Sequence, residues 1–523
     1  FIALIFAIYS VIRLDILPTK YLILLLIVDT VIFLLGLLLY NLRKKVLIVF
    51  GIIFLIISVL TNGLAYYYFS KTINYIDINF DIKTYDVKTE YYLVTSKNNS
   101  INELKELSSD TSIEYYKYSR AADLAVKKLG KYNYIPTDEV HNVLERVLSS
   151  NSYYLISKSD FEFVCEASKD FSNDDFKVIK KFSVTEKVPI NDSTPDSYSV
   201  YIGGLDYSGG RRDFNLIATI NTNTHKIVLT SIPRDFYFEI PAYDNKKDSL
   251  TSLGAVDPEI SKEALEKLFN TKIDYNINLY TNSLVKVVDT IGGVEFCSKT
   301  SFYTDHDMTL GSYEDKGKKL YVKKGCNKYN GLEILAIARE RVNIPGGDRA
   351  RIENCRQIFI NIFKSLMSTT TLTNYGNILD SFEGLYTTNI NKKTLTNLIK
   401  SFIDNPNYEI IEQSVDGVDG KGPNRYGVEG LWTLTPKMDT VNKASDKINE
   451  VLKAHTNETL EFTMDPIVSS DVIGRRCGSL VDGLSTNVLE VDGRQLVKVV
   501  SWYDNEMSYT AQMVRTAKYL MTK

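Results

Sequence analysis

The protein has 523 residues, a length that predicts several domains. Its net charge of -3 and isoelectric point near 6.0 argue against a nucleic-acid-binding protein, which usually presents a strongly basic face. Its five cysteines form no Cys-x-x-Cys pair and its four histidines are scattered, so a zinc site is not expected.

Residues 1–70 are predicted to be a transmembrane region. Residues 21–40 and 46–68 are nearly continuous apolar runs, each long enough to cross a hydrocarbon core about 30 Å thick. Residues 1–17 indicate a third span, and because the chain begins with Phe1 we expect that span to be truncated. Asp29 lies inside the second span, where an acid often has a function, although a partner on a neighbouring helix is the simpler interpretation.

The loop at residues 41–45 carries Arg43, Lys44 and Lys45 between two spans. The positive-inside rule places such a loop in the cytoplasm, so everything after the last span is expected on the extracytoplasmic face of the membrane.

Residues 71–195 are predicted to form a small α/β accessory domain. Strands are expected near residues 91–94, 153–156 and 177–179, with helices over 101–107, 121–128 and 137–148. This segment carries no catalytic constellation, and a polar stretch at 190–197 indicates a linker.

Residues 200–235 carry the strongest local pattern in the chain. Short β-branched runs bounded by Gly, Asn and Pro predict a strand, a Gly-rich loop and a hairpin. This layout brings Asp206, Arg211, Asp213 and Arg234 near the strand ends of one sheet. Carboxylates beside arginines suit a hard cation with phosphate oxygens, and a surface ion-pair cluster is the alternative.

A second arginine group follows at Arg339, Arg341 and Arg351, around the Gly-rich loop 343–348. An apolar helix is predicted over 331–338 and a long amphipathic helix from 349 onward. Arginine binds phosphate bidentately and keeps its charge, so two such groups favour a polyanionic ligand.

Together these motifs resemble the LytR–CpsA–Psr family of bacterial cell-wall enzymes. The resemblance covers residues 198–453 and includes Gly-x-Asp ending at Asp206, Arg-x-Asp at 211–213, Ser-Ile-Pro-Arg-Asp at 231–235, Val-Asp-Thr-Ile-Gly-Gly-Val at 288–294, and the 336–341 and 345–349 motifs. It implies an α/β domain over residues 196–453 with a mixed central sheet flanked by helices.

The resemblance also implies a phosphotransferase that moves a glycopolymer, of the teichoic acid or capsular polysaccharide type, from undecaprenyl pyrophosphate to peptidoglycan. Asp206 and Asp213 would hold Mg²⁺ or Mn²⁺. The expected catalytic residues are Asp206, Arg211, Asp213 and Arg341. The expected pyrophosphate-binding residues are Arg211, Arg234, Arg339, Arg341 and Arg351.

Phosphoryl transfer needs positioning and charge stabilisation more than covalent work by the protein, which agrees with this residue set. A polyprenyl tail would need an apolar groove. Leu332, Ile334, Ile358 and Phe363 are candidates to line it, or they are simply core residues.

Two departures from the family pattern stand out. The residues Ser249-Leu250-Thr251-Ser252 stand where the family has Lys-Leu-Thr-His, so Ser249 replaces the basic residue, for which Lys246 or Lys247 is a suggested substitute. Cys355 stands where the family often has Gln. A Cys297–Cys326 disulfide is a further hypothesis, because disulfides persist outside the membrane.

Residues 454–523 resemble the C-terminal end of glyceraldehyde-3-phosphate dehydrogenase, most specifically in Trp-Tyr-Asp-Asn-Glu at 502–506. The nucleotide-binding Gly-x-Gly-x-x-Gly, the nucleophilic Cys and its His partner of that enzyme are missing, and Cys477 does not match the setting of the nucleophile. We therefore expect this tail to be inert, as a fusion remnant or an artefact.

Two other functions stay open from the sequence. One is a membrane-anchored protein that binds polyprenyl phosphate without catalysis, and the Ser249 and Cys355 departures are its only support. The other is a pyrophosphatase-like hydrolase that uses water at the same site. An oxidoreductase is improbable because the nucleotide-binding half is missing. No nucleic-acid partner is expected.

Overall fold

Two long apolar helices lead into two α/β domains and a short C-terminal tail. The computed structural model describes residues 2–42, 44–81, 83–190, 195–205, 211–253, 258–308, 318–366, 386–453, 459–463, 466–491 and 494–521. The N-terminal helices are α1 (Ile2–Leu14), α2 (Thr19–Tyr40) and α3 (Lys45–Phe80).

Helices α2 and α3 are long and apolar enough to cross a membrane, judged by length and composition alone. Their backbones cross closely at Gly36 and Gly51, because a Cβ on Gly51 would lie 2.8 Å from the Gly36 carbonyl oxygen. Asp29 of α2 accepts hydrogen bonds from Asn62 (2.8 Å) and Ser58 (3.3 Å) of α3. The expected helix partner of this intramembrane acid is therefore present.

Helix α3 does not end near residue 70, where the sequence predicts the end of the membrane region. It continues to Phe80, since its last turns bury Ile73, Ile76 and Phe80 against other parts of the protein. A 36-residue helix is about 54 Å long, well beyond the hydrocarbon thickness of about 30 Å. Tertiary packing thus extends the helix past its apolar run.

The accessory domain follows. Its strands are β1 (Thr84–Ser96), β2 (Ser112–Tyr116), β3 (Asn133–Thr137), β4 (Tyr153–Ser157) and β5 (Phe176–Pro189), and its helices are α4 (Ala122–Leu129), α5 (His141–Ser150) and α6 (Lys158–Ala167). The sheet has the order β3-β2-β4-β1-β5 and is mixed. The helix expected over 101–107 is wrong. Only a 3-10 turn at Leu104–Glu106 forms, because Asn99 turns the chain by accepting from the Ile101 amide.

The main domain is built on a six-stranded mixed sheet of order β16-β11-β6-β7-β8-β17. These strands are β6 (Ser197–Leu205), β7 (Arg212–Asn221), β8 (Lys226–Ser231), β11 (Tyr275–Leu279), β16 (Tyr386–Thr388) and β17 (Glu409–Ser414). Two strand pairs are parallel (β11–β6, β8–β17) and three are antiparallel (β6–β7, β7–β8, β11–β16). The predicted strand corresponds to β6 and the predicted hairpin to β7 and β8, whereas residues 206–210 of the predicted Gly-rich loop lie outside the described residues.

The remaining elements of the main domain surround this sheet. The helices are α7 (Pro258–Phe269), α8 (Thr281–Thr290), α9 (Gly331–Arg339), α10 (Gly347–Leu366), α11 (Lys392–Asp404) and α12 (Met438–Lys453). The short strands are β9 (Tyr237–Glu239), β10 (Lys247–Ser249), β12 (Val294–Ser298), β13 (Phe302–Asp307), β14 (Lys319–Val322), β15 (Gly325–Tyr329), β18 (Gly417–Gly422) and β19 (Leu431–Pro436).

Helices cover both faces of the central sheet, which explains why β6 is buried along most of its length. Tyr201 and Ile217 point to the face covered by α7 and α12, whereas Val200 and Leu216 point to the face covered by α10 and α11. The expected α/β fold with a mixed central sheet flanked by helices is confirmed. Cys297 of β12 and Cys326 of β15 are register partners and form a disulfide.

The accessory and main domains are joined by a buried ionic network. The guanidinium of Arg425 is completely buried; its Nη1 donates to Asp248 (2.8 Å) of the main domain and its Nη2 to Asp160 (3.4 Å) of the accessory domain. The rings of Tyr243 and Tyr426 lie over the same guanidinium. Because every partner is buried, this network resists separation of the two domains.

The tail consists of β20 (Leu460–Thr463), β21 (Ser479–Val491), β22 (Arg494–Trp502) and α13 (Met507–Leu520). Its described core is small and centres on Val472, Cys477 and Leu480. Ile473 and Tyr503 are exposed large apolar side chains. Among the residues whose burial is described, the tail therefore has a much smaller apolar core than the main domain.

Arg425→Met should destabilise the protein strongly, because it leaves the buried carboxylates of Asp160 and Asp248 without their cation. Breaking a buried ion pair from one side costs about 3–5 kcal/mol. We expect a clear fall in the melting temperature of the full chain in detergent and faster proteolysis between the two domains. Arg146→Met, which removes an exposed pair with Glu114, is the control and should cost about 1 kcal/mol or less. Equal effects of the two substitutions would contradict the assignment.

Candidate functional site: an arginine and carboxylate cluster

The candidate site lies at one edge of the central sheet. The carboxyl ends of β6 and β8 meet the amino end of β7 there, because β6 and β8 each pair antiparallel with β7. The amino end of α10 adjoins this edge, since its Arg351 and Asp348 act electrostatically on Asp213 and Asp235. The site therefore combines strand ends with a helix amino terminus, a combination that favours anions.

Asp213 is the centre of the cluster. Nη1 of Arg234 donates to its Oδ1 at 2.6 Å, and Arg351 and Arg211 act on it electrostatically. Burial alone would raise the pKa of Asp213, but these three guanidinium groups hold it below its ordinary value. Asp213 is therefore ionised at neutral pH.

Arg234 is shared between two carboxylates. Its Nε lies 3.3 Å from Asp235 in addition to the contact with Asp213. Burial opposes the charge of Arg234, but both carboxylates together raise its pKa above the ordinary value. The pKa of Asp235 is raised by burial and by the nearby Asp348, with Arg234 and Arg351 opposing. These five groups therefore influence one another electrostatically.

Arg351 is the least satisfied member of the cluster. Its side chain is 6% exposed, and Nη2 lies 2.9 Å from Asp348. That contact lacks hydrogen-bond geometry, so Nε and Nη2 of Arg351 and Oδ1 of Asp348 have no hydrogen-bond partner among the residues that the structure describes. A buried guanidinium whose N–H groups lack hydrogen-bond partners can donate to the oxygens of an oxyanion.

The other predicted site residues are more peripheral or undescribed. Arg211 precedes β7 and pairs with Glu166. Arg339 is half-buried at the end of α9, and Arg341 is exposed two residues later. Asp206 lies outside the described residues, so the structure does not show whether it joins the cluster.

Glu340 shapes the loop that follows α9. It is fully buried between the two arginines and accepts hydrogen bonds from the amides of Asp305, Val342 and Asn343. A buried carboxylate that takes three backbone donors fixes the path of the chain. The residues on either side of it, Arg339 and Arg341, are therefore presented from a defined turn.

Cys355 occupies the position where the family pattern has a Gln. Its thiol donates to the Ala338 carbonyl at 3.3 Å, and burial raises its pKa to about 11. The side chain thus ties α10 to α9, and the raised pKa favours its neutral thiol form. Lys246, a suggested substitute for the missing basic residue, donates instead to the Asp138 carbonyl of the accessory domain at 2.7 Å.

Sequence reasoning missed several members of the site. Asp235 and Asp348 lie within the motifs at 231–235 and 345–349, but the sequence did not indicate that they act on the same cluster. Arg212, also unassigned, is buried and donates to Asn278 at 2.5 Å on the opposite face of the strand from Asp213. Its guanidinium needs Gly203, because a Cβ there would lie 2.3 Å from Nη1. The groove candidates Ile334 and Ile358 belong to a buried cluster between α9, α10 and β12–β15.

Asp213→Asn should reduce stability in a pH-dependent way. Because folding lowers the pKa of Asp213, its ionised form stabilises the folded state above the ordinary carboxyl pKa of about 4. That contribution is lost as the pH falls through the lowered value. The difference in melting temperature between the parent and Asp213→Asn should hold from neutral pH down to about pH 5 and shrink below about pH 4. Arg234→Gln should show the same profile, and a difference that grows on acidification would contradict this account.

Two families match different parts of the chain. The LytR_cpsA_psr family model matches residues 163–450, more than half of the protein. The model of the glyceraldehyde 3-phosphate dehydrogenase C-terminal domain matches residues 431–505. The matches overlap at 431–450, but Leu434, Val441, Ala444 and Ile448 lie in the same buried cluster as Tyr201 of the central sheet. The overlap is therefore part of the main domain.

Curated relatives match the tail. Glyceraldehyde-3-phosphate dehydrogenase from Streptococcus dysgalactiae subsp. equisimilis is 62% identical over 78 residues, 15% of this chain and 23% of that protein. The enzyme from Streptococcus pyogenes is also 62% identical, over a span of 363 residues that covers 66% of this chain and 93% of that protein. The longer span must include residues that the LytR_cpsA_psr model matches, whereas the shorter one has the length of the tail. The likeness is therefore assigned to the tail.

Several solved structures are similar over half of the chain. Protein gbs0355 from Streptococcus agalactiae is 21% identical, covering 49% of this chain and 88% of that one with a TM-score of 0.42. TagV from B. subtilis is 21% identical, covering 50% and 98% with a TM-score of 0.42. TagT bound to LIIa-WTA is 21% identical, covering 49% and 91% with a TM-score of 0.40.

The family match covers the main domain. The match to the LytR_cpsA_psr model contains the whole central sheet and the arginine and carboxylate cluster. This chain belongs to the LytR–CpsA–Psr family and carries a C-terminal fragment similar to glyceraldehyde-3-phosphate dehydrogenase.

Proposed function

We propose that the protein is a membrane-anchored phosphotransferase that moves a glycopolymer from a polyprenyl pyrophosphate carrier to peptidoglycan. The observation that carries this proposal is Arg351, whose buried Nε and Nη2 have no hydrogen-bond partner among the described residues, beside Asp213 and Arg234. A pyrophosphate offers several charged oxygens to such donors. Membership of the LytR–CpsA–Psr family supports the same chemistry.

In this proposal the arginines bind and stabilise phosphate. Arg234 and Arg351 are held by carboxylates before any ligand arrives, so little reorganisation is needed when phosphoryl oxygens bind. Arg211, Arg339 and Arg341 would neutralise outer oxygens. Charge stabilisation by fixed groups is the main contribution that a protein makes to phosphoryl transfer.

A divalent cation fits part of this residue set. Asp213 is ionised at neutral pH and offers hard oxygen atoms of the kind that Mg²⁺ or Mn²⁺ prefers. Asp206 and Asp213 would hold the ion. A bound ion would neutralise charge on the pyrophosphate.

The membrane helices would bring the site to a lipid-linked substrate. The main domain contacts the ends of α1 and α3 through Lys400–Asp15 (2.7 Å) and Lys392–Asp77 (2.6 Å). Tyr75 of α3 and Tyr386 of β16 share a hydrogen bond of 2.7 Å. These contacts lie at the helix ends opposite the basic loop 41–45, which supports an extracytoplasmic main domain. The Cys297–Cys326 disulfide also suits that compartment.

Transfer should depend on Arg351 and Asp213. The full chain in detergent would be incubated with a short-chain lipid-pyrophosphate glycan, peptidoglycan oligomers and Mg²⁺, and the phosphodiester product measured by mass spectrometry. Arg351→Ala and Asp213→Ala should each lower the rate about 10²–10³-fold, the usual cost of removing one charge-stabilising group. Arg349→Ala, on the same helical turn but exposed and paired with Asp416, should leave the rate nearly unchanged.

The outcomes separate the alternatives. Lipid binding without product, under conditions where another transferase is active, would favour a binding protein and overturn the proposed catalysis. Release of inorganic phosphate in place of the phosphodiester would indicate hydrolysis at the same site.

Removal of the tail should not affect transfer. Truncation after Lys453 keeps α12, whose apolar face completes the core of the main domain. We expect unchanged transfer and no NAD⁺ binding by the full chain in equilibrium dialysis, with intact glyceraldehyde-3-phosphate dehydrogenase as the positive control. NAD⁺ binding that disappears on truncation would show that the tail is functional.

A further inference from the structure

One helix of the accessory domain reaches the arginine cluster of the main domain. Oε1 of Glu166 in α6 lies 2.7 Å from Nη2 of Arg211. The Arg211 guanidinium also lies over the ring of Phe163, 5.9 Å from its centroid. Both contacts come from α6, although Arg211 precedes β7 of the other domain.

The buried ionic network fixes α6 in this position. Asp160, in the first turn of α6, accepts a hydrogen bond from Tyr426 at 2.5 Å and one from Arg425. One turn later, the Phe163 ring lies 5.6 Å from the Tyr426 ring. Glu166 follows after another three residues. The helix cannot withdraw from Arg211 without disrupting buried groups.

Arg211 is coupled to the centre of the site. Its charge helps Arg234 and Arg351 to hold the pKa of Asp213 below the ordinary value. A contact that directs the Arg211 guanidinium therefore acts on the cluster that would receive phosphate.

We propose that the accessory domain forms part of the pyrophosphate site, with Phe163 supporting the Arg211 guanidinium and Glu166 competing with phosphoryl oxygens for its donors. The proposal rests on the proposed function for the identity of the ligand. Glu166 and Phe163 are positioning residues that act through Arg211.

The exposure of the pair explains why a ligand can displace Glu166. The side chains of Glu166 and Arg211 are 65% and 37% exposed, and ion pairs of this kind are weak. A pyrophosphate oxygen carries more charge and can bind the guanidinium in its place. Glu166 therefore lowers the affinity of the site for pyrophosphate, but it also keeps the Arg211 guanidinium in position when no ligand is bound.

The test is a double-mutant cycle on the full chain in detergent, with inorganic pyrophosphate as the probe in isothermal titration calorimetry. Glu166→Gln should tighten pyrophosphate binding about three-fold, the size expected for an exposed ion pair. Arg211→Gln should weaken binding, and Glu166→Gln should have no further effect in that background. Phe163→Leu keeps an apolar contact with Tyr426 but removes the aromatic face, and should weaken binding about two-fold.

Glu162→Gln is the matched control, because it removes the same charge one turn earlier on the same helix. Glu162 is 49% exposed and lies 3.9 Å from Lys158. Binding should not change in this variant. Tighter binding in Glu162→Gln, or a Glu166→Gln effect that persists without Arg211, would show a general charge effect and overturn the proposal. Absence of pyrophosphate binding by the parent would also overturn it.

The transfer assay runs in parallel and separates this proposal from the proposed function. If product forms but the effects of Glu166→Gln and Arg211→Gln on pyrophosphate binding are additive, only the role of Glu166 is overturned and the proposed function stands. If the two effects on binding are non-additive but no product forms, the role of Glu166 is supported and the proposed transfer activity is overturned.

Discussion

The arrangement of the two α/β domains depends on the burial of one guanidinium. Arg425 has no access to water, so its charge must be matched within the protein. The match comes from Asp248 of the main domain and Asp160 of the accessory domain, and the rings of Tyr243 and Tyr426 lie over the cation. Any rotation between the domains would leave buried charges unpaired. A single relative placement is therefore strongly favoured, and it decides which accessory side chains stand beside the sheet edge.

At that edge of the sheet, the charges of acidic and basic side chains offset one another before a ligand binds. Three carboxylates (Asp213, Asp235 and Asp348) face Arg234, Arg351 and Arg211 over a short region where strand ends meet α10. Opposing pKa shifts within one cluster show that the carboxylates are not equivalent. Asp213 favours its ionised form, whereas burial and its acidic neighbour disfavour ionisation of Asp235. Such a difference allows one carboxylate to remain a charged oxygen ligand while the other is more easily protonated.

Sequence patterns were sufficient for features encoded locally. β-branched runs between Gly, Asn and Pro located β6 to β8, and arginines beside Gly-rich loops included Arg234 and Arg351, which the fold brings close to Asp213. Features that depend on distant packing were not predictable. Helix α3 continues through polar residues because Ile73 and Ile76 find a partner surface, and the segment at 101–107 loses its helix to the turn at Asn99. Glu166 and Arg211 are 45 positions apart and in different domains, so only the folded chain brings them together.

Helix α12 lies at the junction between the main domain and the tail that resembles glyceraldehyde-3-phosphate dehydrogenase. It closes the apolar face of the central sheet with Val441, Ala444 and Ile448, and only then does the chain leave the main domain. Nothing described after Lys453 is needed to cover that core. A protein whose last structural helix completes its own interior tolerates foreign sequence at that junction, because the added residues neither compete for buried positions nor expose them. A recombined gene could therefore append a passenger segment here without loss of the host fold.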